Sequence, residues 1–112
     1  MISVIVLTLD EELRLPACLA ALASQAPHEL IVVDGGSTDR SVEIARAAGA
    51  RVIVSGPGRA VQANRGAAAA AGDILLFVHA DTRLAPGALE LVVTGRRRMQ
   101  TRPRRGRRRP RS

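Results

Sequence analysis

The stretch FVHADT, Phe77 to Thr82, is apolar up to Val78 and then presents an imidazole, His79, and two residues later a carboxylate, Asp81. A carboxylate at the end of a buried strand can hold a divalent cation, and such a cation can bridge two phosphates and stabilise the charge that builds on a departing diphosphate. The same residues would also serve as a polar loop end with His79 capping or exposed. In DGGSTD, Asp34 to Asp39, the paired glycines Gly35 and Gly36 let the backbone turn tightly and approach a ligand, while Asp34 can accept hydrogen bonds from a base or a ribose. A turn followed by a helix cap would account for that stretch as well. Arg59, Gln62, Asn64 and Arg65 form a donor-rich stretch able to meet phosphate oxygens together with backbone N–H groups at a helix start. Arginines on a helix surface are, however, usually just solvated. His28 precedes a strand without a convincing partner and reads as a surface residue.

The elements that must position these groups alternate in type. ISVIVL (Ile2 to Leu7), ELIVVD (Glu29 to Asp34), RVIV (Arg51 to Val54) and DILLFV (Asp73 to Val78) are short, apolar on consecutive positions and rich in β-branched residues, as parallel strands covered on both faces are. Between them, Pro16 stands in the first turn of a helix PACLAALASQ with Leu19, Leu22 and Ala23 on one face. Thr38 or Asp39 can cap RSVEIARAA, which stops at Gly49, and an alanine-rich helix runs from Arg59 to Ala71 and stops at Gly72. Pro86 opens a last helix through GALELVV. Strand and helix alternating throughout predict an α/β sheet with right-handed crossovers. In such sheets ligands bind beyond the carboxyl ends of the strands. The loops TLDEE, DGGSTD, SGPGR and HADTR all fall at that end, so four polar loops share one rim.

Composition bounds what the chain can be. Its 112 residues make one domain at most, and a domain of this length buries only about two thirds of the surface its unfolded chain exposes. The sequence is 46% hydrophobic but has one Phe and no Trp or Tyr, so the core is aliphatic and base stacking on aromatic rings is excluded. The formal charge of +7 is unevenly placed: residues 1–95 hold seven Arg against ten acids, whereas residues 96–112 hold ten Arg and no acid. The single cysteine, Cys18, cannot form an internal disulfide and sits among apolar residues of a helix, as a buried thiol in a reducing compartment would. No basic segment precedes the apolar start, and no apolar run approaches the roughly 18 residues that span a bilayer, so the expectation is a cytoplasmic protein without a transmembrane segment. A dinucleotide fingerprint is absent, because the loop TLDEE has no glycine. SGPGRAVQANRG lacks the Gly-Lys-Ser/Thr ending of a P-loop, and no Cys/His zinc spacing exists.

With these residues in place, the chain resembles the start of a family-2 glycosyltransferase, a nucleotide-sugar-dependent enzyme of GT-A fold. The matching pieces are ISVIVLTLDEE, ELIVVDGGSTDRSVEIARAAGARVI, GRAVQANRGAAAAAGDILLFVHADT and LAPGAL, in the family's order and at its spacing over about residues 2 to 92. The HADT variant, in place of the usual DxD, resembles a bacterial subgroup. The resemblance implies a three-layer α/β/α half with a mostly parallel sheet in the order 3-2-1-4, which sets the TLDEE and HADTR loops side by side. It implies that Thr8, Glu12 and Asp34 contact the nucleoside, that Arg59, Asn64 and Gly66 line the donor pocket, and that Asp73 precedes the metal strand. Asp81 would bind Mn²⁺ or Mg²⁺, with His79 as a second ligand whose softer nitrogen suits Mn²⁺ better. The implied activity is transfer of a glycosyl group from a nucleoside-diphosphate sugar to an acceptor that the sequence does not identify. The chain would carry the donor-binding half, with the catalytic base in a further half.

The remainder breaks the pattern. Residues 1–94 are expected to form the nucleotide-sugar-binding part, and residues 95–112 a disordered Arg-rich tail. All 17 basic residues are Arg and none is Lys, which fits a GC-rich gene, in which a shifted frame readily yields Arg, Pro and Gly. The expectation is an out-of-frame or truncated end from about Gly95. The rival expectation is a nucleotide-binding module whose tail binds nucleic acid or another anionic surface in a salt-sensitive, sequence-blind manner. A third is a donor-binding half that works with a separate chain. An open edge beside the fourth strand predicts marginal folding or self-association.

Overall fold

The structure, a computed structural model, describes residues 1–80. Asp81, the helix expected after Pro86 and the Arg-rich tail lie outside the described residues. Seven elements follow in order: β1 (Ile2–Thr8), α1 (Leu15–Ala23), β2 (Glu29–Asp34), α2 (Ser41–Ala47), β3 (Arg51–Val54), α3 (Arg59–Ala69) and β4 (Ile74–His79). The four strands form one parallel sheet in the order β3-β2-β1-β4, as expected.

Why the helices divide between the two faces follows from the order of crossing. The chain moves outward from β1 to β2 to β3 and then returns past β1 to β4, so crossovers of one hand put α1 and α2 on one face and α3 on the other. Alternating side chains then build two cores. Ile2, Val4, Val6, Val32 and Val78 pack with Leu15, Cys18, Leu19, Leu22 and Ala45 on the α1/α2 side. Ile5, Ile31 and Val33 pack with Ala69 and Ala70 on the α3 side.

Local sequence accounts for most boundaries. Pro16 lies in the first turn of α1, where its missing N–H costs no hydrogen bond. The stripe of α1 that meets the sheet is Leu15, Cys18, Leu19 and Leu22, while Ala23, expected on that face, is exposed. Gly49, with φ 85°, ends α2 in a Schellman arrangement: its N–H donates to Arg46 O and that of Ala50 to Ala45 O. The cap of α2 differs from expectation. Thr38 takes no part, the flanking residue is Arg40, and Asp39 reaches one residue further to accept from the Ser41 N–H at 2.9 Å.

Two differences concern α3 and β4. The helix stops at Ala69, short of Ala71, because Ala70 is extended and the Ala71 N–H donates to Glu29 Oε1 at 2.7 Å. Gly72 is therefore not the helix stop. It is the point where the chain crosses β1, and a Cβ there would lie 2.6 Å from Ser3 Oγ and 2.8 Å from Met1 O. Strand β4 runs one residue beyond expectation, which places His79 within the sheet opposite Leu7. Among the described residues, coverage on both faces holds for β1 and β2 only. Val54 on β3 and Leu75 and Phe77 on β4 are exposed.

Candidate functional site at the carboxyl rim

The carboxyl ends of the strands meet as the register dictates: Thr8 pairs with Asp34, Asp34 with Val54, and Leu7 with His79. The sheet order reverses between β1 and β4, and at such a switch point a crevice opens between diverging loops. Thr8 is buried there, and its Oγ1 has no hydrogen-bond partner among the described residues. A buried hydroxyl is nearly always bonded, so this atom stands out as one able to meet a ligand or a water.

Asp34, next to it, is 1% exposed. Its Oδ2 accepts from the N–H groups of Gly36 at 3.0 Å and Ser37 at 2.7 Å, and its Oδ1 accepts from Ser37 Oγ. The carboxylate thus organises the turn that follows it, and Gly36 permits that turn with φ 109°. Oδ1, with a single donor, retains acceptor capacity.

The first and second loops are bound to each other by reciprocal hydrogen bonds. The N–H of Asp10, which holds φ 51°, donates to Ser37 Oγ at 2.8 Å, and the Thr38 N–H returns one to Asp10 Oδ1 at 2.8 Å. The Glu11 N–H donates to Ser41 Oγ at 2.9 Å and the Glu12 N–H to Asp39 Oδ2 at 3.1 Å. Glu12 Oε1 accepts from the Arg40 N–H at 3.0 Å. The Ser41 side chain, assisted by the Ser41 and Glu12 amides, holds the Asp39 carboxyl below the usual carboxylate range.

The structure brings Thr8, Asp34 and His79 to one rim, with Glu12 in the adjoining loop. Glu12 serves there as an inter-loop clamp. Arg59 is exposed at the start of α3, whose preceding residue Gly58 has φ 112°. The other two residues of the expected donor pocket stand elsewhere. Gly66 lies in the seam between α3 and the sheet, where a Cβ would come within 2.5 Å of Ile5 Cγ2 and 3.0 Å of Val33 Cγ2. Asn64 is two residues, or about 200° of helix, from both Gly66 and Gln62 and is exposed. Gln62, read from sequence as a phosphate donor, is buried, and its Nε2 donates to Thr8 O at 2.9 Å and Val33 O at 3.0 Å. The clamp residues Asp10, Ser37 and Ser41 carried only a weak signal, the tendency of Ser and Asp to bond backbone in turns.

His79 is half-buried, and the Asp81 expected to join it lies outside the described residues. No group of three or more His, Cys, Asp or Glu is placed to hold a metal ion among the described residues.

Known proteins share both sequence and architecture with this chain. It is 41% identical over 93 residues to a PGL/p-HBAD biosynthesis glycosyltransferase of Mycobacterium bovis, an alignment covering 75% of this chain and 36% of that protein. It is 38% identical over 111 residues to the 4,4'-diaponeurosporenoate glycosyltransferase of Staphylococcus haemolyticus, covering 90% of this chain and 30% of that one. The chain therefore spans about a third of the length of these curated relatives. Among solved structures, glucosyl-3-phosphoglycerate synthase of Mycobacterium tuberculosis superposes with a TM-score of 0.76 at 30% identity, over 85% of this chain and 39% of that one. The same enzyme in complex with Mn²⁺, UDP and glucosyl-3-phosphoglycerate gives a TM-score of 0.74 at 29% identity, over 85% of this chain and 39% of that one. The sheet order and helix placement are those of the GT-A fold, and the model of Glycosyl transferase family 2 matches residues 3–97, so the chain belongs to that family.

Proposed function

We propose that this chain is the donor-binding half of a glycosyltransferase and takes a nucleoside-diphosphate sugar at the carboxyl rim of its sheet. The observation that carries the reading is the orphaned Thr8 hydroxyl, buried beside Asp34 at the point where sheet order reverses. Thr8 Oγ1 and Asp34 Oδ1 would hold the nucleoside, with Asp34 at the base edge. Glu12 would act on the nucleoside at one remove, by fixing the loop that bears Asp34. Arg59, at the amino end of α3, would meet the diphosphate together with the free N–H groups of that helix start. Gly66 would let α3 lie close enough to the sheet to bring Arg59 to the rim, whereas Asn64, exposed on the side of α3 away from the sheet, is left out of the site.

His79 and Asp81 would hold a divalent cation, Mn²⁺ in preference to Mg²⁺ because one ligand is an imidazole. When bound, such an ion supplies positive charge to the departing diphosphate. The acceptor hydroxyl would then attack the anomeric carbon as the diphosphate departs, its proton taken by a base outside the donor-binding half. Of the described helices, none is long and apolar enough to cross a membrane, and the reading places the protein in the cytoplasm.

Calorimetric titration of the chain with UDP and a panel of nucleotide sugars, with and without Mn²⁺, tests this. Saturable, Mn²⁺-enhanced binding is expected, and failure to bind any of them would overturn it. A second reading rests on the ten Arg of residues 96–112, which would add salt-sensitive binding to polyanions. RNA binding that persisted unchanged after deletion of those residues would count against it.

A further inference from the structure

The side chain of Gln62 is 5% exposed and joins three elements at one point. Its Nε2 donates both of its hydrogens, one to Thr8 O at the last residue of β1 and one to Val33 O in β2, the residue before Asp34. Thr8 O also accepts from the Gly35 N–H at 2.9 Å, so the amide of Gln62 and the first glycine of the DGGSTD turn converge on one carbonyl. Gly35 lies close against that amide. A Cβ at position 35 would be 3.1 Å from Gln62 Cδ and 3.2 Å from both Nε2 and Oε1. Gly36 requires glycine for its positive φ, whereas Gly35 requires it for the contact with Gln62.

We infer that Gln62 is a positioning residue for the nucleoside site, acting through the backbone that carries Thr8 and Asp34. The inference rests on the nucleotide-sugar reading above. Two charge-neutral hydrogen bonds from a buried amide fix where β1 and β2 end, and hence the separation of the Thr8 hydroxyl from the Asp34 carboxylate. Nearby backbone carbonyls of parallel strands are ordinarily satisfied by the sheet ladder alone, and a side chain from the opposite layer that reaches two of them rigidifies the strand ends. Gln62 also ties the amino-terminal half of α3, with Arg59 at its start, to the same rim.

The test uses the full chain and the variants Gln62→Met, which keeps the volume and removes both donors, and Gln62→Asn, which keeps the amide one methylene short. Amide hydrogen exchange without ligand is read at Gly35, Gly36 and Ser37 and compared with Val6 and Val32. In Gln62→Met the three turn amides should exchange about tenfold faster, the order expected for the loss of buried hydrogen bonds, with Val6 and Val32 unchanged. Gln62→Asn should fall between, and it keeps the experiment decisive should Gln62→Met not fold. UDP affinity measured with Mn²⁺ should fall in the same order. A purely structural Gln62 would lower the unfolding midpoint and leave both readouts alone. Acceleration spread evenly over the sheet, or none at the turn, overturns the inference. Failure of the unaltered chain to bind UDP would overturn the nucleotide reading instead, and the exchange pattern would still decide whether Gln62 positions the turn.

Discussion

The hydroxyl of Thr8 is buried with no partner among the described residues, and a buried hydroxyl left so costs roughly 1–3 kcal/mol of folding stability. Replacing Thr8 with Val keeps the shape and removes the unsatisfied group. Thr8→Val should therefore raise the denaturant midpoint of the free chain while weakening UDP binding about tenfold, the effect of losing one buried hydrogen bond. Opposite signs in the two measurements are the signature of a binding group, and a midpoint that fell would show that the hydroxyl has a structural partner. Glu29, at the other end of the strands, illustrates the contrary case of a fully engaged polar residue. Its Oε1 accepts from the Ala71 N–H at 2.7 Å and from Ser3 Oγ at 2.7 Å, and Arg51 lies 3.8 Å from Oε2. The Ala71 amide first, then the Ser3 hydroxyl, hold its carboxyl below the ordinary value of 4.5. A carboxyl depressed in the folded state contributes stability that is present above that ordinary value and is lost as pH falls through the depressed one. Glu29→Gln should flatten this part of the acid limb in a plot of unfolding midpoint against pH, and an unchanged limb would place the acid sensitivity elsewhere, with Asp39 the next candidate.

At the scale of elements, the join between α3 and the sheet has no room for a side chain at Gly66. Gly66→Ala would bring a Cβ to 2.5 Å from Ile5 Cγ2, and both Ile5 and the neighbouring Val33 are fully buried and unable to give way without disturbing β1 and β2. Overpacking of this kind costs roughly 1–3 kcal/mol, so the variant should unfold at lower denaturant, and a wild-type midpoint would show that α3 can lift without penalty. How far such joins can be read from sequence depends on what sets them. The strands were legible because short runs of Val, Ile and Leu on consecutive positions favour strands, and all four fell within a residue of expectation, although β3 and β4 are not covered on both faces. Gly49 was legible as a helix stop because it follows a periodic helix and takes a positive φ. Gly66 and Gly72 were not legible as packing residues, because close approach between layers depends on partners far away in sequence, Ile5 and Ser3. The same reason hid Gln62. A polar side chain on a helix reads as exposed unless the carbonyls it meets are known, and those belong to strands 54 and 29 residues earlier. Thr8 and Asp34 stand at the ends of β1 and β2 as the strand pattern implied, whereas the clamp made by Glu12 emerges only when two loops remote in sequence are brought together.

At the scale of the whole molecule, the described sheet carries an asymmetry between its two edges. Strand β3 is four residues long and begins with a charged residue, Arg51, which discourages pairing with another chain. Strand β4 is longer, six residues, and contains no acid, Lys or Arg, and its outer edge has no strand partner among the described residues. Helix α3 packs on β1 and β2, so Leu75 and Phe77, on the α3 side of β4, remain 37% and 44% exposed. An unpaired edge bearing exposed apolar side chains on one face is a template for a second strand. Association between copies would extend the sheet at β4 and cover that face. Sedimentation velocity of the full chain should therefore show a weight-average coefficient that rises with concentration. Phe77→Lys should suppress the rise by placing a charge beside the open edge, while Val54→Lys on β3 should leave it unchanged. Equal suppression by both variants would mean that association does not select β4, and a coefficient independent of concentration in the unaltered chain would remove the premise that this edge is open.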